Sequence, residues 1–373
     1  MIVSRRFAFA ALAAAASPVE AWSARAPKGC HGRAAYAGGP LHAQIAPEVF
    51  DQAAAAGAKT VAPFASDELD YRLARALKAN PAVQTLTAAV ARKDGALSNQ
   101  SVAAVQAAVD PAQFQWPGLG EVFLVTLALQ LVEAGKLDLG STVDRWAPEL
   151  PTARGITLDD LLSHTAGLTG SADLYCPGAG WSADAADAHL LARIVEVLEG
   201  RPYAEVARLR IVEALGLKET RLAASATGEA LLVTASASDV VRFWRALMAN
   251  RLHNAALTRR RYYRLYPTTA SPARTFYGLG VGVTDLVSDP WNPADLWLGH
   301  TGVNSMGAAV VTYSQRKQAF VAVALTGQGD PDEVVDLLLD GIDPPPPRPL
   351  PHYAPRTPHR RRRRSPSTPA LRP

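Results

Sequence analysis

A chain of 373 residues, 48% hydrophobic and 19% charged, has the composition of a globular protein and the length for one large core or two unequal lobes. Its formal charge of +4 is misleading, because eight arginines and no acidic residues lie from Pro344 onward. Without them 30 basic residues face 34 acidic ones, a body near −4 that gives no reason to expect nucleic acid as a partner.

In chain order, Arg5 and Arg6 precede the short apolar run FAFAALAAAA, with Val19 and Ala21 at the −3 and −1 positions of a cleavage site. Residues 1–21 thus read as an export signal, with a weak twin-arginine pattern. The run is too short for the ~20 residues of a spanning helix. A periplasmic or secreted protein is expected. In such an oxidising compartment Cys30 and Cys176 would be available for one disulfide. Two distant cysteines are too few to hold a metal, and no cofactor is expected.

Residues 22–65 are rich in alanine and glycine without clear periodicity. A domain over 66–343 follows. Ser66 caps an expected helix with Leu69, Leu73 and Leu77 on one face. VQTLTAAVARKDGALS reads as a hairpin turning at Lys93-Asp94-Gly95. EVFLVTLALQLVEAG, apolar nearly all round and closed by Gly135, reads as a helix buried between layers. Thr157 and Asp160 form a capping-box start for LDDLLSH. Helical patterns recur at AHLLARIVEVLEG, AEVARLRIVEALG and SDVVRFWRALMAN, and strands return at YGLGVGV, AAVVTYS and AFVAVALT. Strands at both ends with helices between predict an α+β fold, an antiparallel sheet flanked by helices plus a mostly helical lobe. Residues 344–373, rich in proline and arginine, lack the apolar content for a core. They read as a disordered tail, with Arg360, Arg361, Arg362, Arg363 and Arg364 available to an anionic surface.

Several segments, in order over roughly residues 85–330, resemble the serine β-lactamase and penicillin-binding-protein-like family, which includes class C β-lactamases, esterases and D-amino-acid peptidases. They are LALQLVEAGKLDLGSTVDRWAPELP, ITLDDLLSHTAGL, PGAGWSADAADAHLLARIVEVLEGRPYAEV, EALGLKETRL, YGLGVGV and LGHTGVNSMGAAVV. The resemblance implies a β-lactamase/transpeptidase-like fold. It also implies a serine at a helix N-terminus, a lysine one turn on, a Tyr-x-Asn loop, and a Lys- or His-Thr-Gly strand. Aligned this way, Gly118 stands at the serine, Glu121 at the lysine, Ala183 at the tyrosine and Ala185 at the asparagine. Only His300-Thr301-Gly302 persists. No shift of register restores the pair, because no serine lies between Ser101 and Ser141 and the one lysine there is Lys136.

Other serines offer little. The one Ser-x-x-Lys, Ser314 to Lys317, falls where a hairpin turn is expected. The family resemblance implies that Ser163-His164 is a structural turn, and Ser182 has no nearby lysine or histidine in sequence. Losing a serine nucleophile costs about a millionfold in turnover in a comparable hydrolase. The first expectation is a non-catalytic relative whose cleft, roomier through its small replacements, binds a cell-wall peptide or small acyl ligand. The alternatives are a hydrolase using other residues, such as His300 with Glu121 activating water, and a relic with no ligand; if Glu121 lies in the cleft near His300, an ion pair between the two is expected.

Overall fold

The structure, a computed structural model, describes residues 41, 44–50, 62–93, 95–104, 110, 114–146, 155–168, 176–223, 231–268, 275–286 and 294–345. The export signal over 1–21, Cys30 and the arginine run at 360–364 lie outside the described residues.

Helix α1 (Ser66–Ala79) leads into β1 (Val83–Arg92) and β2 (Leu97–Ala103), followed by α2 (Leu119–Glu133). A helical stretch follows, with α3 (Leu158–Leu162), α4 (Ala185–Glu199) and α5 (Tyr203–Ala207), the last running on through a π turn at Arg208–Glu213. The short strands β3 (Arg221–Ala223) and β4 (Leu232–Thr234) pair with each other before α6 (Ala237–Met248) and α7 (Ala255–Arg260). The chain closes with β5 (Tyr266–Pro267), β6 (Thr275–Tyr277), β7 (Gly282–Leu286), β8 (Asp295–Asn304), β9 (Gly307–Ser314), β10 (Ala319–Gly327) and α8 (Pro331–Asp340). One antiparallel sheet runs β2-β1-β10-β9-β8-β7-β6-β5, so β1 from the start of the fold pairs with β10 from its end.

Strand periodicity builds two cores. In β10, Phe320, Ala322 and Ala324 face the cluster of α2, α4 and α6, while Ala319, Val321, Val323 and Leu325 face that of α1 and α8. β9 alternates in the same way, with Val311 and Tyr313 on one side and Ala308 and Val310 on the other. Helix α2 is buried in the first cluster continuously over Val122–Leu129, which explains its apolar surface there. Gly135, at φ 68°, takes the left-handed position just beyond its end. Among the described residues no helix is long and apolar enough to cross a membrane.

Two local expectations change. Ser66 is the first residue of α1 rather than its cap. The cap is Ala65, and the Ser66 hydroxyl accepts from Gln100 Nε2 at 2.9 Å. YGLGVGV forms the end of β6 and the start of β7 across a turn, not one strand. Residues 44–50 pack onto the body, where Val49 and Phe50 are buried and the Phe50 carbonyl accepts from Asn250.

Candidate functional site

Gly118 is the N-cap of α2, with φ 77°, a left-handed conformation that disfavours any side chain. The space beside it is also taken. A Cβ built at Gly118 would lie 2.6 Å from His300 Cε1 and 3.0 Å from its Nδ1. On the same strand, a Cβ at Gly302 would lie 2.0 Å from the Pro117 carbonyl oxygen. β8 therefore presses His300 and Gly302 against the head of α2, and strand alternation turns Thr301 to the other face. Gly118, His300 and Gly302 thus meet in the structure, and the roomier cleft expected from small residues is not found at Gly118. The imidazole fills the place a nucleophile's side chain would take.

One turn into α2, Glu121 enters a buried polar chain. His164 Nε2 lies 2.7 Å from Glu121 Oε1, and His164 Nδ1 lies 3.0 Å from Asp187 Oδ2. The Tyr277 hydroxyl donates to the same Glu121 Oε1 at 2.6 Å and lies 3.2 Å from His300 Nε2. The order is Asp187, His164, Glu121, Tyr277, His300. The direct ion pair expected between Glu121 and His300 is thus replaced. Tyr277 stands between them, and the ionic partner of Glu121 is His164.

Local structure explains how each group arrives. The Thr157 and Asp160 side chains exchange the two hydrogen bonds of a capping box and start α3. The helix stops five residues on, and His164 takes φ 54° just past its C-cap, Ser163. SHTAGL is a turn just past the helix end, and it aims a buried imidazole at α2. Asp187 sits in the first turn of α4, behind the cap made by Asp184. Ala183 and Ala185, the aligned loop positions, are both exposed at that helix start. Tyr277 is the last residue of β6. Trp181, partly exposed, completes an aromatic wall, its ring 5.8 Å from Tyr277 and 6.4 Å from His164.

Electrostatics fix the protonation states. Burial alone would raise the Glu121 carboxyl, but the charge and hydrogen bond of His164 outweigh it and hold the group at about 2. Burial likewise opposes charge on His164, yet Glu121 and Asp187 carry it well above the usual histidine value. Burial raises Asp187 to about 7, offset in part by His164. His300 is lowered, first by burial and then, against the pull of Glu121, by the charges of His164 and Arg261. Near neutral pH, Glu121 is an anion, His164 a cation and His300 neutral. Because Tyr277 has one proton and gives it to Glu121, its oxygen accepts from His300 Nε2–H. That fixes the tautomer and leaves Nδ1 as a bare acceptor.

The remaining candidates have structural partners. Ser314, fully buried at the end of β9, donates to Asp295 Oδ2, and Lys317 Nζ donates to the Ile342 carbonyl at 2.6 Å, so this Ser-x-x-Lys is a hairpin turn that ties down the end of α8. Ser163 Oγ donates to the Asp159 carbonyl at 2.7 Å. Ser182 meets the site through its backbone N–H, which donates to the His164 carbonyl. Cys176 is disulfide-bonded. Among the described residues no group of three or more His, Cys, Asp or Glu side chains is arranged to hold a metal ion.

Residues 121–341, over half of the chain, match the family described as Beta-lactamase. The chain belongs to the beta-lactamase family. It is 31% identical over 134 residues to penicillin-binding protein 4 of Amycolatopsis lactamdurans, an alignment covering 29% of this chain and 35% of that protein. The chain thus spans about a third of the length of the curated relative it matches. Among solved structures, D-amino acid amidase from Ochrobactrum anthropi SV3 superposes with a TM-score of 0.62 at 20% identity, over 74% of this chain and 99% of that one. A D-stereospecific amidohydrolase from Streptomyces sp. gives 0.61 at 17%, over 73% and 99%. The penicillin-binding protein from Bacillus halodurans gives 0.57 at 17%, over 71% and 97%. These likenesses show the β-lactamase/transpeptidase-like fold.

Proposed function

We propose that this is an exported member of the beta-lactamase family whose cleft holds a ligand, a cell-wall peptide or small acyl compound, without forming an acyl-enzyme. The observation that carries this reading is His300 seated over a left-handed Gly118, where the attacking hydroxyl would have to be. The lysine that would activate it is replaced by Glu121, an anion already engaged by His164 and Tyr277. The test is intact-protein mass spectrometry after exposure to a panel of β-lactams and activated esters. The expected result is an unmodified mass with every reagent, and a stable adduct on any residue refutes the reading. The arginines of the tail would hold the protein at an anionic envelope surface. Co-sedimentation with anionic vesicles, expected for the full chain and lost on removing residues 344–373, tests that part.

One observation favours a second reading, hydrolysis without a covalent intermediate. His300 is neutral, held in one tautomer through Tyr277, and presents Nδ1 beside the α2 N-terminus, the arrangement of a general base for water. Turnover of p-nitrophenyl esters above background, abolished by His300→Ala, would establish it.

A further inference from the structure

Among the described residues both side-chain hydrogen bonds to Glu121 fall on Oε1, and the side chain keeps 22% exposure, which leaves Oε2 to a ligand. Nδ1 of His300, beside Gly118, is also an acceptor. Among the described residues Glu121 Oε2 and His300 Nδ1 are thus acceptors, the first on a negatively charged group, and Trp181 Nε1 is a donor without a partner. Beside them stand the Tyr277 and Trp181 rings, 5.8 Å apart and tilted at 47°. A carboxylate next to aromatic faces suits a cation, which gains a charge-assisted hydrogen bond at the oxygen and a favourable quadrupole at the rings.

We propose that the cleft recognises an ammonium group, such as the free amine of a peptide, held by Glu121 Oε2 against Trp181 and Tyr277. This deepens the reading of a cleft that holds ligands without acylation, and rests on it. The nearby charges have assigned partners. His164 is engaged by Glu121 Oε1 and Asp187. Arg261, fully buried, donates to Thr126, His253 and the Leu279 carbonyl.

The test is calorimetric titration of the full chain with three probes of one shape: 2-phenylethylammonium, 2-phenylethanol and 3-phenylpropionate. The ammonium is expected to bind at least about tenfold more tightly than the alcohol or the carboxylate, the size of one charge-assisted hydrogen bond. Glu121→Gln is expected to erase that preference, and Trp181→Leu to weaken the ammonium about threefold. Equal or tighter binding of the carboxylate, no ammonium binding up to its solubility limit, or an unchanged preference in Glu121→Gln overturns the proposal. If Glu121→Gln fails to fold, the order of the three probes on the wild-type chain and the Trp181→Leu result decide. None of the probes can acylate, so their outcome is separate from the β-lactam assay. An adduct there refutes the broader reading and leaves the probe preference measurable.

Discussion

Asp187 is nearly inaccessible, and its Oδ1 finds no partner among the described residues. Burial lifts its carboxyl from 3.8 to about 7, so the folded state binds a proton that the unfolded state releases between those values. Its contribution to stability falls as pH rises from about 4 to 7 and stays low above that. Asp187→Asn keeps an oxygen for His164 and removes the titration. Thermal melts across pH are expected to show Asp187→Asn gaining on the wild type through this window and levelling off above pH 7. A constant difference would mean that Asp187 is not the titrating group. Gly118 gives a second prediction. A serine there must adopt a left-handed backbone and displace His300, so Gly118→Ser is expected to destabilise the fold by about 1–2 kcal/mol, lowering the melting temperature by a few degrees. It is also expected to gain no reactivity toward β-lactams.

At the scale of elements, legibility followed the reach of each interaction. The capping box of α3 is written within four residues, and Thr157 with Asp160 was readable as such. Truncating it by Thr157→Ala is expected to cost about 1 kcal/mol in chemical denaturation. Because α3 delivers His164, the ammonium preference should weaken as well. Leu69, Leu73 and Leu77 in α1 are readable because period alone decides which face is buried, and β9 and β10 are readable as strands from their apolar, β-branched runs. The polar chain of the site was not. His164 meets Asp187 23 residues away, and Glu121 meets Tyr277 156 residues away. No local pattern encodes such meetings. Alignment pointed to Ala185 because the family motif lies there, while Asp187, two residues on, makes the contact. Glu121 was flagged only because it stood where a lysine was expected.

The whole molecule is held by a sheet buried on both faces, whose β1–β10 pairing joins chain segments more than 200 residues apart. Core helices on either face therefore stabilise the same unit. Leu338, fully buried in α8 on the face away from the site, tests this. Leu338→Ala is expected to cost about 2–5 kcal/mol and to leave the melt a single transition, with ligand preference unchanged. Two separate transitions would show that the faces unfold independently. The imidazole over Gly118 has a historical consequence on this scaffold. A mutation that returns a hydroxyl at 118 meets an occupied space, and one that clears position 300 leaves a gap with nothing in it. On the reading proposed above, neither step alone would restore acylation, so a passage away from covalent chemistry would work as a ratchet.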